Sequence, residues 1–247
     1  MKIKPALFSF SILITILSCN QTKNGYEIDC NYEKRQAQND FHYKNYTWTL
    51  FSGLGYDYLG EKEFIQLLHQ KNIKANKISL SCIRYLNGKY ENCRETEMNR
   101  LIENKFGKNF IDSLKYIAKQ QFVKNHPEEV FSYEECDMTT RIPNSSYDNQ
   151  FDKIQKNYFF QYPLPKNYIN KTNQEFYSST SANFILTKNG EIKDLSIESS
   201  FENKKNNIFE KQFNQQLKNF VLHTKWIPAK INGINVDSYM EANISYN

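Results

Sequence analysis

The stretch from Ala182 to Tyr246 constrains the fold more than any other part of this chain. Asn183 to Thr187 is rich in β-formers and runs into Asn189-Gly190. Asn-Gly tolerates φ > 0 at both positions and so predicts a hairpin. The return strand carries Ile192, Leu195 and Ile197. Ile192 and Leu195 are three apart and cannot share one face of a regular strand, so a bulge is expected near Lys193-Asp194. Phe209, Phe213, Leu217, Phe220 and Val221 then recur at helical spacing. Asn207 is the expected cap of that helix, with Glu210 three residues on. Asn232-Gly233 predicts another turn. In the last stretch Val236, Met240, Ala242, Ile244 and Tyr246 fall on one parity, and Asp237, Tyr239, Glu241 and Asn243 on the other. One face of that strand should bury and the other meet water.

Taken in order, these pieces resemble the C-terminal domain of TonB-type proteins. The matching residues are Tyr162-Pro163, Phe184 and Leu186 with Gly190, Ser199-Ser200, Trp226 with Pro228-Ala229, Asn232-Gly233, and the closing alternating strand. They cover residues 158–247. Phe201 stands where the family often has glycine, and the usual Gly-Gly after Tyr-Pro is absent. The resemblance implies an α+β fold with a three-stranded antiparallel sheet and helices on one face. It also implies recognition of an extended peptide by strand addition at a sheet edge. The partner is then an outer-membrane receptor or another envelope protein. The last strand is the expected edge, with Val236, Asp237, Tyr239, Glu241 and Asn243 as its partner-binding residues.

The N-terminus points to export. Lys2 and Lys4 precede an apolar run from Ala6 to Leu17, and Ser18-Cys19 follows. A bilayer span needs ~20 apolar residues, so the run has the proportions of a signal peptide over residues 1–18. The cysteine after a small residue resembles a bacterial lipobox, which makes Cys19 the expected lipidation site; a plain signal peptide with an incidental cysteine is the alternative. Asn20 favours the outer membrane over the inner one. Residues 19–40 are polar and are expected to form a tether. The formal charge of +5 is small and scattered, which argues against nucleic acid as a partner.

Cys30, Cys82, Cys93 and Cys136 remain, an even number in an exported protein, so disulfides are expected. A two-residue turn at Asn87-Gly88 would place Cys82 opposite Cys93, within disulfide reach at ~5 Å between α-carbons. Cys30 with Cys136 is then the second pair. Residues 41–137 read as a small α+β domain of no recognised family. Glu61–Asn72, a segment capped by Thr96 and ended by Gly107, and Asn109–Asn125 are its expected helices. Residues 138–157 read as a polar linker.

No cofactor motif is present. His42, His69, His126 and His223 have no metal-ligand spacing, and no carboxylate pair sits in a catalytic motif. Glu134-Glu135-Cys136-Asp137 reads as a solvated turn, and Trp226 as a core residue. The chain is therefore expected to be a non-enzymatic binding module, accessory to transport at the outer membrane. A true energy transducer is the first alternative, although no spanning helix or proline-rich arm supports it. An enzyme acting through residues 41–137 is the second. Radiolabelled palmitate is expected to enter the wild-type protein and not Cys19→Ala; equal labelling of the two would refute lipidation at Cys19.

Overall fold

The computed structural model describes residues 30–53, 58–80, 92–170 and 177–246. Cys19, Cys82 and the Asn87-Gly88 turn lie outside the described residues. The fold is mixed α+β. Its first half contains α1 (Cys30–His42), β1 (Thr47–Gly53), α2 (Glu61–Gln70), β2 (Lys74–Leu80), α3 (Cys93–Phe106) and α4 (Phe110–Asn125). β1 and β2 pair in parallel, from Thr47↔Lys74 to Gly53↔Leu80, with α2 as the crossover. Phe64, Leu67 and Leu68 of α2, Trp48 of β1, Met98 and Ile102 of α3, and Leu114 and Ala118 of α4 form one core. α3 stops at Gly107, whose φ of 100° few other residues adopt.

The second half contains β3 (Val130–Phe131), α5 (Gln150–Gln161), β4 (Ser178–Leu186), β5 (Ile192–Ser200), α6 (Glu210–His223), β6 (Ala229–Ile231) and β7 (Ile234–Tyr246). The sheet runs β3-β7-β4-β5, and β6 also pairs with β7, which makes five strands instead of three. The three long ones, β7, β4 and β5, are antiparallel neighbours. The expected parity holds: Val236, Met240, Ala242, Ile244 and Tyr246 are all buried. They meet Ile154 and Tyr158 of α5 and Phe213, Leu217, Phe220 and Val221 of α6 in one cluster, apart from Val236, which joins a third one. Trp226 is a core residue, its ring against Phe184 and its indole N–H donating to the Val221 carbonyl at 2.9 Å. The expected bulge is present: Asp194 has φ 51°, and the β4–β5 register slips by one residue between Asn183 and Ile185. The hairpin loop closes at Thr187 and Glu191, with Gly190 at φ 85°. Asn232 and Gly233, both at positive φ, turn β6 into β7.

Four expectations need correction. α1 occupies residues 30–40, half of what reads as tether, because its buried face is little more than Ala37 and Phe41 amid polar residues. The expected linker is folded: Met138 and Arg141 bridge to Lys230 and Ile227, and α5 begins at Gln150. Ile142, Ile154 and Tyr158 bury in the core from within or just beyond it. The helix carrying Phe213 is preceded by a 3-10 turn, Lys204–Phe209, capped by Asn203 and not by Asn207. Finally, Cys30 pairs with Cys93, with α-carbons 5.4 Å apart, and Cys136 carries a free thiol. The expected pairs Cys82–Cys93 and Cys30–Cys136 are therefore replaced. Both bonded cysteines open helices that pack side by side, a juxtaposition that hairpin register does not report.

A third cluster ties the halves together. Phe122 and Val123 of α4 and Phe131 of β3 pack on Ala229, Ile231 and Val236. Gly60, the cap of α2, is equally constrained. Its φ is 81°, and an added Cβ would lie 2.9 Å from the backbone carbonyl of Ala118. Gly60→Ala is expected to cost about 3 kcal/mol, because left-handed strain and overpacking add. Gly190→Ala meets no atom within 4 Å and should cost about 1 kcal/mol. Urea denaturation of the two variants separates these values.

Candidate partner-binding edge

The residues expected to bind a partner lie on β7, and the sheet uses them in different ways. Val236 is buried in the third cluster. Asp237 pairs with Val130 of β3 through its backbone, and its carboxylate accepts the Lys188 N–H at 2.7 Å. Asn243 accepts a hydrogen bond from the Ser181 hydroxyl at 3.0 Å. Tyr239 and Glu241 are exposed. β7 is therefore not an edge strand along its length, and that expectation is corrected. β4 flanks it from Ser238 to Tyr246, and β3 covers Asp237-Ser238 on the other side. A two-residue strand such as β3 carries no periodicity to read, so its pairing with β7 is not legible in the sequence.

One hydrogen bond fixes which way the backbone of β7 points. Ser245 donates its N–H to Oε1 of Gln155 on α5, at 3.1 Å. Ser245 thus turns away from β4. Backbone groups alternate sides along an antiparallel strand, so Tyr239, Glu241 and Asn243 turn away as well. Between β3 and Gln155, no described strand pairs with these three residues.

The same alternation passes through the sheet. Even-numbered residues of β4 bond to β7, so the odd-numbered ones bond to β5. Ser179, Ser181 and Asn183 face Ser200, Glu198 and Ser196. Ile197 and Ser199 must then present their N–H and C=O groups to the outside. β5 is the last strand of the sheet, and no other described strand pairs with its outer side. Beside it runs an open groove of about 590 Å³ between Leu195 and Ile197 on β5 and Lys211, Asn214, Gln215 and Lys218 on α6. Ile208, 77 % exposed, stands at its end. The Ser199 hydroxyl is held by Thr180 and Asn214 at 2.7 Å each, which fixes β5 against both the sheet and the helix.

The remaining candidates are structural. In the acidic turn Glu135 accepts the Ser132 N–H at 2.7 Å, and Asp137 accepts the Asn232 N–H. Burial pushes the Cys136 thiol up to about 11, so it stays protonated at neutral pH. His126 stacks on Phe122 at 4.2 Å at the end of α4. Among the described residues no three His, Cys, Asp or Glu side chains gather as a metal site, and no helix is long and apolar enough to cross a membrane. No protein-family model matches the chain, and neither a curated protein nor a solved structure matches it.

Asp237→Ala is expected to cost about 2 kcal/mol, since it removes a charged acceptor from the Lys188 N–H. Glu241→Ala should stay within about 0.5 kcal/mol of wild type, as an exposed side chain without a structural role does. Thermal denaturation of both checks the division between structural and free residues on β7.

Proposed function

We propose that this chain is an exported, lipid-anchored envelope protein whose C-terminal sheet captures an extended peptide by strand addition. The partner is a segment of an outer-membrane receptor or of another envelope protein, and the protein is accessory to transport across the outer membrane from its periplasmic side. The observation that carries the reading is β5: its outer side has no partner among the described strands, and it runs beside a groove where Leu195, Ile197 and Ile208 lie among polar side chains. A peptide lying along β5 bonds to the outward N–H and C=O of Ile197 and Ser199, and its alternate side chains enter the groove toward Leu195 and Ile208. Backbone bonds supply affinity in this mode, and pockets for alternate side chains supply selectivity. The order hairpin, helix, Trp226, turn and long last strand, on which the TonB resemblance rests, supports the same assignment.

A second reading is favoured by the unpaired backbone at Tyr239, Glu241 and Asn243, where β7 itself receives the peptide. Two proline variants separate the two. Ile197→Pro and Tyr239→Pro each delete an outward donor without removing a bond to β4. Glu198→Pro removes an inward bond and should destabilise by about 3 kcal/mol, which calibrates the argument. In a crosslinked pull-down from intact cells, Ile197→Pro is expected to lose its partners while staying folded, at a somewhat lowered melting temperature because its side chain also packs on the core. Loss with Tyr239→Pro alone moves the site to β7. Retention of all partners by both folded variants refutes strand addition.

A further inference from the structure

Cys30 is the first residue of α1 and Cys93 the first of α3, and the bond between them spans 63 residues of sequence. That loop encloses β1, α2 and β2. α1 is thus pinned at its N-terminal end to a helix remote in sequence. α1 packs along α3, but few of its side chains are buried there. Ala37 is its one fully buried residue. Gln38 donates from Nε2 to Glu97 Oε1 at 3.2 Å, and Asp40 pairs with Arg94 at 2.5 Å, with both side chains of that pair partly exposed. The Phe41 ring meets Tyr46 at 5.1 Å. Exposed ion pairs hold little, and a 13-residue helix is marginal on its own in water. The surface that α1 covers is different in character. Glu97 is buried there, bonded to Gln38 and Arg100, and Met98 belongs to the same core cluster as Ala37.

We propose that α1 is a redox-latched element. With Cys30–Cys93 oxidised it stays docked on α3. Reduction lets it detach as a unit while β1, β2 and α2–α4 stay folded, and this uncovers the α3 face around Glu97. The reductant is a dithiol. One of its thiolates attacks a sulfur of the Cys30–Cys93 bond to form a mixed disulfide. Its second thiolate then displaces the protein sulfur. Two electrons and two protons pass to the cysteines, which end as thiols, and the reductant ends as a disulfide. Cys136 takes no part: it sits against the third cluster, separate from this core.

Hydrogen exchange on the whole mature chain tests the latch. Three samples are compared: the oxidised protein, the protein reduced with dithiothreitol and checked by thiol titration, and the double variant Cys30→Ser with Cys93→Ser. Amides of residues 31–42 are expected to exchange about a hundredfold faster in the last two. Those of residues 110–125 and 178–186 are expected to stay unchanged. Equal protection of α1 in all three samples would overturn the proposal. So would faster exchange of residues 110–125 together with α1, since the bond would then brace the whole unit. Recovery of Cys30 and Cys93 as free thiols in non-reducing peptide maps of the exported protein would overturn it too.

Discussion

The two halves of the molecule meet on β7. It pairs with β4 over nine residues, with β6 through a tight turn, and with β3, which arrives from the end of α4. Its partners in β4 are about sixty residues away in sequence, from Ser178↔Tyr246 to Leu186↔Ser238. Closing so long a loop costs entropy before any contact forms. The inward parity of β7 offsets that cost. Met240, Ala242, Ile244 and Tyr246 bury under α5 and α6, and Val236 buries against Phe131 and Val123. Removing β7 would therefore dismantle two cores at once.

Unpaired strand edges invite wrong partners, and this fold covers two of them with amide side chains. Asn99 of α3 accepts the Thr49 N–H and donates to the Thr49 carbonyl, both at 2.8 Å. A single side chain thus imitates a neighbouring strand on β1. Gln155 does half of this for Ser245 on β7. Among the described residues no side chain covers the outer side of β5 in this way along Ser196–Ser200. Its protection is confined to one end, where the Asp194 bulge and Lys193 spoil a regular approach. An edge that is capped elsewhere and left regular here is the physical contrast behind the binding role proposed for β5.

What could be read from the sequence was what local periodicity encodes. The parity of β7, the apolar face of α6, the bulge at Asp194 and the turns at Gly190 and Gly233 all depend on residues a few positions apart. Long-range partners were not legible. Register alone suggested a Cys82–Cys93 pair, while the fold brings the starts of α1 and α3 together. α1 and the segment before α5 looked like linkers because few apolar residues mark them. Ala37 is small, and Ile142, Ile154 and Tyr158 are spread over a polar stretch. β3 contributes two residues, too few for any pattern. The edge was misplaced for the same reason: a strand's parity does not say which strands lie beside it.

Phe201 follows β5 directly and anchors its end. Its ring lies 5.7 Å from Phe213 and 6.2 Å from Tyr246, which in turn stacks on Phe213 at 4.5 Å. The Tyr246 hydroxyl donates to Thr180 at 2.9 Å, so this aromatic group is tied to β4 as well. A glycine would leave the end of β5 without that anchor. At its other end β5 is held by the Thr187–Glu191 turn, which Asp237 braces through Lys188. β5 is thus fixed at both ends and along its inner side, and only its outer backbone is unpaired. A strand ordered in advance loses little conformational freedom when a peptide pairs with it, so more of the pairing energy remains as affinity.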